Sequence, residues 1–511
     1  MLVRVASATH AGLKTLGIEV EVNIASRGLP SFDIVGLPSK GVEESKERVR
    51  TAIVNSNIEF PQRKITVNLA PADVPKDGSF YDLPIAVGIL AATLPCSIPP
   101  RSLFFGELSL DGSLRHTRGA LLLALHAKEA GFDSLFVPEA SANEAAVVQG
   151  LTVYPLKHLE QVVAHLLGIR ALEPLTAPQP AAGDPAADGA EFDLAEILGQ
   201  EQAKRALEIA AAGGHNLLLV GSPGVGKTML ARALPGLLPP LTDEESLEVT
   251  KICSVSGRIP PGGSLVKQRP FRAPHHTISA VGLIGGGVRP QPGEVSLAHR
   301  GILFLDEFYE FPRFVLETLR QPVEDGYVSI VRSQERATYP SRFMLVASAN
   351  PCPCGYLHHP RKACACTPRE ITRYRNRASG PLLDRIDLHV RVPTVEAHEL
   401  ASGRHPAGCL EPSATVQQRI VRARAIQRAR FDGGAVQVNA EMSTQAVKRH
   451  CRLTPEVEQL LLRAVGQFQL SARAYFKTIK VARTIADLAG AAEIRVSHLA
   501  EALQYRLRLE P

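Results

Sequence analysis

Residues 216–238 read NLLLVGSPGVGKTMLARALPGLL, and no other stretch restricts this chain as much. A short apolar run, of the length of a buried strand, meets a glycine-rich loop, and Lys-Thr then opens a segment with helical spacing. In that order of strand, loop and helix, backbone N–H groups and a helix N-terminus can cradle phosphate oxygens. Gly221, Ser222, Pro223, Gly224, Val225, Gly226, Lys227 and Thr228 are the expected contacts, Lys227 reaching the β/γ-phosphates and Thr228 a Mg²⁺ ion. An ordinary glycine-rich turn lacks the flanking strand and helix. The motif therefore predicts a parallel α/β sheet with the loop at a strand's carboxyl end.

Further runs supply companions for that loop. GILFLDEF (301–308) ends a buried strand in two carboxylates; Asp306 is placed to hold the Mg²⁺ shell and Glu307 to polarise an attacking water. FMLVASAN (343–350) ends in Asn350, a neutral amide suited to orienting that water or touching the terminal phosphate. PLLDRIDLHV (381–390) offers Arg385 near the start of a fourth strand, and LSARAYFKTIKVARTIADLAG (470–490) offers Arg473 at a helix start. Either guanidinium could neutralise transition-state charge or make a plain surface ion pair.

At 511 residues the chain is expected to divide into two to four domains. The segment ALEPLTAPQPAAGDPAADGAEFD (171–193) reads as a linker between an α+β domain (1–170) and an α/β core (194–393), and a helical region follows (394–511). With 45% hydrophobic and 21% charged residues, no apolar run near the length of a bilayer span, no signal peptide and Cys96, Cys253, Cys409 and Cys451 scattered singly, a cytoplasmic location without membrane association is expected. The net charge of +6 is concentrated in REITRYRNR (369–377) and QQRIVRARAIQRARF (417–431), which suit either a polyanionic partner or solvated helix faces.

Four of the eight cysteines lie in ANPCPCGYLHHPRKACAC (349–366). Two Cys-x-Cys pairs can bring Cys352, Cys354, Cys364 and Cys366 around one tetrahedral Zn²⁺, with His358 and His359 as substitute ligands. Free thiols and a redox pair are the alternatives, although the usual redox spacing, Cys-x-x-Cys, does not occur.

GSPGVGKT, ILFLDE, SAN and LLDRID, in that order, resemble an AAA+ ATPase. RPFRAPHHTISAVGLIGGGVRPQPGEVSLAHRGILFLDE (269–307), with NPCPCGY and SGPLLDRIDLHV, resembles the YifB/ComM family of magnesium-chelatase-like members of that class. The resemblance implies an α/β multidomain chain: an AAA+ P-loop NTPase αβα core with a C-terminal helical lid, assembled into a homo-oligomeric ring, a hexamer, with ATP and Mg²⁺ between subunits. It implies Arg385 as an arginine finger acting in trans, Arg473 as sensor 2, and Gly199 and Gln200 of EILGQEQA against the adenine. The insert before Asp306 and a hairpin at YVSIVRSQERATYP would line a channel, where Lys267, Arg272, Arg332 and Arg336 would track DNA phosphates. The implied activity is DNA branch migration in the homologous recombination of natural transformation. A chelatase- or MoxR-type remodeller of a protein partner is the first alternative and an ATP-dependent protease the second.

ADVPKDGSFYDLPIAVGIL (72–90) resembles a Lon-protease domain of the ribosomal protein S5 domain 2-like α+β fold. Phe80 stands at the position of the catalytic serine, with Ser79 one residue early, and Leu121 at that of the lysine. A hydroxyl without a neighbouring base is a poor nucleophile, so peptide hydrolysis is expected to be absent.

Overall fold

The computed structural model describes residues 1–76, 78–175, 191–287, 290–331, 336–394, 411–432, 434 and 436–506. The chain forms two compact units, one of Met1–Asp184, Ser246–Val266 and Val331–Thr338, the other of Pro185–Glu245, Lys267–Ile330 and Tyr339–Pro511.

The first unit is built on a seven-stranded mixed sheet in the order Ser31–Val35, Lys64–Ala70, Lys14–Ile24, Leu2–Ala11, Ser102–Phe104, Ser134–Pro138, Thr152–Leu156. The first two strands of the chain form an antiparallel pair running from Leu2↔Asn23 to Ala11↔Lys14, and their alternation puts Val5, Val20 and Val22 inside. Helix Asp82–Thr93 is apolar nearly all round and accordingly buried over most of its length. Its one acid, Asp82, is fully buried and accepts from Arg48 Nε at 2.7 Å. Phe80 and Leu121 both belong to this core, and the Ser79 hydroxyl donates to Glu107. Neither position that a Lon-type dyad requires carries a reactive group.

Residues 246–266 and 331–338, which the sequence reading assigns to the ATPase core, belong instead to this first unit. The backbone N–H of Gly119 donates to Ser254 O at 3.2 Å and that of Gly262 to Ala140 O at 2.8 Å. Glu144, 1% exposed, accepts from the Ser254 hydroxyl and from the Leu121 N–H at 2.8 Å. Burial raises its carboxyl above the usual range, against those two hydrogen bonds.

The second unit carries a five-stranded parallel sheet in the order Phe271–Arg272, Ile302–Leu305, Met344–Ala349, Leu217–Val220, Leu388–Arg391. Its central strands end together, Val220 opposite Ala349 and Leu305 opposite Ala347, so Gly221, Asp306 and Asn350 emerge at one carboxyl edge. The helices Glu201–Gly213 and Lys227–Ala233 precede a helical C-terminal part, Ser413–Arg430, Pro455–Phe468, Ala472–Leu488 and Val496–Gln504. That part shares one core with the sheet, Ile420, Ile479 and Ile485 belonging to the same buried cluster as Leu217, Leu219 and Phe304.

The arginine-rich helix Ser413–Arg430 uses several of its cations inside the protein. Arg419 Nε donates to Glu208 at 2.6 Å, Arg424 Nη2 to Ala211 O at 2.7 Å, and Arg430 pairs with Asp487. These bonds fasten the helix to its neighbours and leave those cations unavailable to a polyanion. Among the described residues no helix is long and apolar enough to cross a membrane.

Candidate functional site

The phosphate loop is shaped by left-handed turns. Gly224 and Gly226 have φ of 80° and 90°, and a side chain added at either would meet nothing within 4 Å, so the concave face of the loop is clear. Lys227 opens the following helix and is largely buried. Its ammonium donates to Gly221 O at 2.7 Å, Ser222 O at 2.9 Å and Asn350 Oδ1 at 3.1 Å. All three protons are thus held where an anion can exchange for carbonyl partners.

Beside it, Thr228 Oγ1 donates to Asp306 Oδ2 at 3.0 Å, and the Ser348 hydroxyl donates to Asp306 Oδ1. One hydroxyl and one carboxylate oxygen in contact are the pair that a hard, oxygen-seeking cation such as Mg²⁺ needs from the protein, so these residues fit the ion. Glu307 follows with φ 53°, a left-handed conformation that costs a residue with a side chain about 1–2 kcal/mol. The turn leaves its carboxylate 54% exposed, with His276 Nδ1 3.4 Å away. The HH of RAPHHTIS is the only sequence signal for that partner; the His275 and His276 rings pack at 4.0 Å.

Burial pushes the Lys227 ammonium down to about 8, against the pull of Asp306 and Glu307. A bound polyphosphate favours the ammonium, so above pH about 8 binding must take up a proton. We expect ATP affinity to be flat between pH 7 and about 8 and to fall up to about tenfold per pH unit above it. Titration with a fluorescent ATP analogue tests this; the same slope in Lys227→Arg would assign the effect elsewhere.

Gly199 and Gln200 form the expected turn, with φ of 62° and 60°, immediately before helix Glu201–Gly213. Gln200 Nε2 donates to Pro393 O at 2.6 Å, whereas its buried Oε1 has no partner among the described residues. An orphaned acceptor beside the phosphate loop fits the exocyclic amine of adenine.

Arg385 and Arg473 are brought together. Both pair with Glu324, Arg473 through Nη2 at 2.7 Å. Burial raises the Glu324 carboxyl, and the two guanidinium groups outweigh it, leaving it below its usual range. These three residues line a depression of about 830 Å³ with Arg269, Lys477 and Lys480, and none of residues 221–228 lines it. Sequence reasoning missed Glu324, which no motif marks.

The four cysteines converge. Cys352, Cys354 and Cys364 have sulfur separations of 3.4, 3.7 and 3.6 Å, and the ligand atoms of all four, Cys366 included, lie within 4.8 Å of one another. A tetrahedral ion with metal–sulfur bonds of about 2.3 Å requires separations of about 3.8 Å, so the cluster fits a structural metal. Backbone N–H groups of Tyr356 and Ala365 help to lower Cys354 to about 6, which favours its thiolate. His358 and His359 are not part of the cluster, and His359 Nδ1 accepts instead from the N–H groups of Arg361 and Lys362.

Of the expected channel cations, Arg272 lies in the edge strand of the sheet, bidentate on Glu294 at 2.5 and 2.9 Å. Lys267 and Arg336 are exposed, Arg336 opening one strand of the two-stranded sheet Tyr327–Val331 and Arg336–Pro340. Arg332 lies outside the described residues.

A phosphate loop on a parallel sheet, the Thr228–Asp306 contact, Glu307 after it and a helical C-terminal part define a P-loop ATPase of the AAA+ class. The chain matches the family described as magnesium chelatase, subunit ChlI, over residues 193–400, its C-terminal family over 410–506, and the family described as subunit ChlI of Mg-chelatase over 20–141. It is 44% identical over 500 residues to the YifB protein of Salmonella typhimurium, covering 97% of this chain and 95% of that one. It is 43% identical over 503 residues to the competence protein ComM of Haemophilus influenzae, covering 98% and 96%. The chain belongs to the YifB/ComM family of magnesium-chelatase-like AAA+ ATPases. A magnesium-chelatase 38 kDa subunit of Rhodobacter capsulatus is 28% identical over 193 residues, 33% of this chain and 53% of that one.

Proposed function

We propose that this ATPase works in the cytoplasm as a ring, a hexamer, with ATP held between neighbouring copies, and that hydrolysis drives DNA branch migration during recombination of incoming DNA. The observation that carries the reading is that the cations fall into two groups: Lys227 bonds within the phosphate loop, while Arg385 and Arg473 share Glu324 in a depression that none of residues 221–228 lines. Phosphoryl transfer needs charge neutralisation around the terminal phosphate, and guanidinium groups so placed can supply it to the loop of a second copy.

In that site Gln200 would take the adenine, loop N–H groups and Lys227 the phosphates, Thr228 and Asp306 the Mg²⁺, and Glu307 with Asn350 the attacking water. Mg²⁺ supplies neutralisation of the phosphate charge when bound. Zn²⁺ on the four cysteines would be structural, since four sulfur ligands leave no open position for water. The DNA assignment is supported by the competence protein of H. influenzae at 43% identity. The chelatase matches support a second reading, remodelling of a protein partner.

Two measurements test the shared site and then separate the two readings. Arg385→Ala is expected to lose about 10³-fold or more in ATPase rate, and mixing it with Lys227→Ala should restore activity, because each variant contributes the half-site the other lacks. A mixture as inactive as its components removes the shared site. Movement of a synthetic Holliday junction by the wild type with ATP, but not by Lys227→Ala, supports the motor; a junction that never moves, with no stimulation of ATPase by DNA, favours the remodeller.

A further inference from the structure

Residues 368–377 form an arginine face that the site does not use. Helix Pro368–Arg375 follows Cys366 and is fixed at its start by a capping box, Thr367 N donating to the Glu370 carboxylate at 2.8 Å and Glu370 N to Thr367 Oγ1 at 3.3 Å. Its inner face is fastened by buried Tyr374, packed edge-on against Tyr309 at 5.2 Å. Arg375 Nε donates to Pro351 O at 3.3 Å.

The outer face carries Arg369, Arg373 and, just past the helix end, Arg377, four residues apart and so about 6 Å apart along the axis. With Arg313 they line a groove of about 610 Å³ whose other walls are Pro368, Thr372 and Asn376. No acid lines it. Arg377 is held by Glu310 at 2.6 Å, by the Tyr309 carbonyl at 2.8 Å and over the Tyr374 ring, whereas Arg369 and Arg373 have no hydrogen-bond or ion-pair partner among the described residues. Glu370, the helix's own acid, is hydrogen-bonded at the cap and makes no ion pair with them. Phe314, next to Arg313 in the chain, is 66% exposed.

We propose that this face is a phosphate-backbone site for single-stranded nucleic acid, its arginines spaced to follow successive phosphates and Phe314 available to stack a base. An acidic protein would also suit the charge, but the exposed ring beside Arg313 favours the nucleic acid. The inference rests on the DNA reading above and names where the strand lies. The site is rigid where it must be: its helix is bonded to Pro351, the neighbour of the Asn350 that contacts Lys227, so strand binding and the nucleotide site share one short span of backbone.

The test uses the full-length protein, a fluorescent thymidine 30-mer and an ATP analogue that is not hydrolysed. In Arg369→Gln/Arg373→Gln, affinity for the 30-mer should fall about 10- to 100-fold at moderate salt, and the slope of log affinity against log salt should drop by about two. DNA-stimulated ATPase should fall with it, while ATPase without DNA and the size of the assembly stay at wild-type values. Arg369→Lys/Arg373→Lys, which keeps the charges, should recover most of the affinity. Equal affinity and salt slope in wild type and Gln variant would remove this surface and leave the motor standing; loss of binding only together with loss of assembly would also remove it. A wild type that ignores the 30-mer would remove the DNA reading itself. An equally tight uridine 30-mer would name RNA as an equal source of the same phosphates, and polyglutamate bound as tightly as either would overturn the nucleic-acid assignment.

Discussion

Glu307→Gln should leave ATP binding within about twofold of wild type and cut turnover about 10²- to 10⁴-fold, the usual worth of a positioned general base. The groups that grip the phosphates are Lys227 and the loop amides, and Lys227 is hydrogen-bonded to Gly221, Ser222 and Asn350 rather than to the Glu307 carboxylate. Glutamine keeps the length and can occupy the same left-handed turn, so the loss should fall on kcat and not on KM. His276 lies 3.4 Å from the carboxylate and can position it, and His276→Ala should lower kcat less than Glu307→Gln does. Phosphate release and binding of a fluorescent ATP analogue measure the two quantities. A Glu307→Gln turnover within tenfold of wild type would mean that another group polarises the water.

Much of this site was legible in the sequence because its parts lie on consecutive residues. Gly221–Thr228, Asp306–Glu307 and Asn350 each end a strand, and parallel pairing alone puts their ends on one edge. Glu324 and His276 were not legible, because each acquires its role from a partner 61 and 31 positions away, Arg385 and Glu307 respectively. Nor could spacing tell which way the arginines of helix Ser413–Arg430 turn. Val416, Ile420 and Ala423 mark a buried face, and Arg424 and Arg430 reach round it to a carbonyl and to Asp487. The 369–377 run showed the same composition and the opposite outcome, since its buried face is Tyr374 and its cations have few acids in reach. Residues 246–266 show a third limit: nothing in that stretch marks its partners, since Ser254 of helix Asp243–Val255 bonds to Gly119 and Glu144, and Gly262 to Ala140, all far upstream.

Replacing Cys352 and Cys364 by serine should reduce bound zinc from one per chain to none, lower the melting temperature and weaken ATP binding about tenfold or more. The geometry ties these effects together. The cysteine loop is packed on the phosphate loop so closely that a Cβ on Gly355 would lie 2.6 Å from Pro223 Cδ, and Asn350 precedes the loop directly. Cys352 is fully buried, and the Leu357 N–H donates to its sulfur at 3.3 Å. Four thiols within 4.8 Å cannot all ionise without a cation among them, because like charges at such distances repel strongly. With an ion present each thiolate is neutralised and the loop is locked, and binding free energies of about 10–16 kcal/mol are ordinary for such sites. Without it, little apolar area remains to hold a segment as polar as GYLHHPRKA against Pro223. Elemental analysis of protein purified without chelator, thermal melts and nucleotide titration each read one link. Zinc-free protein with an unchanged melt and full ATP affinity would show that the thiols act otherwise, and a mass lower by about two protons after mild oxidation would point to a disulfide in their place.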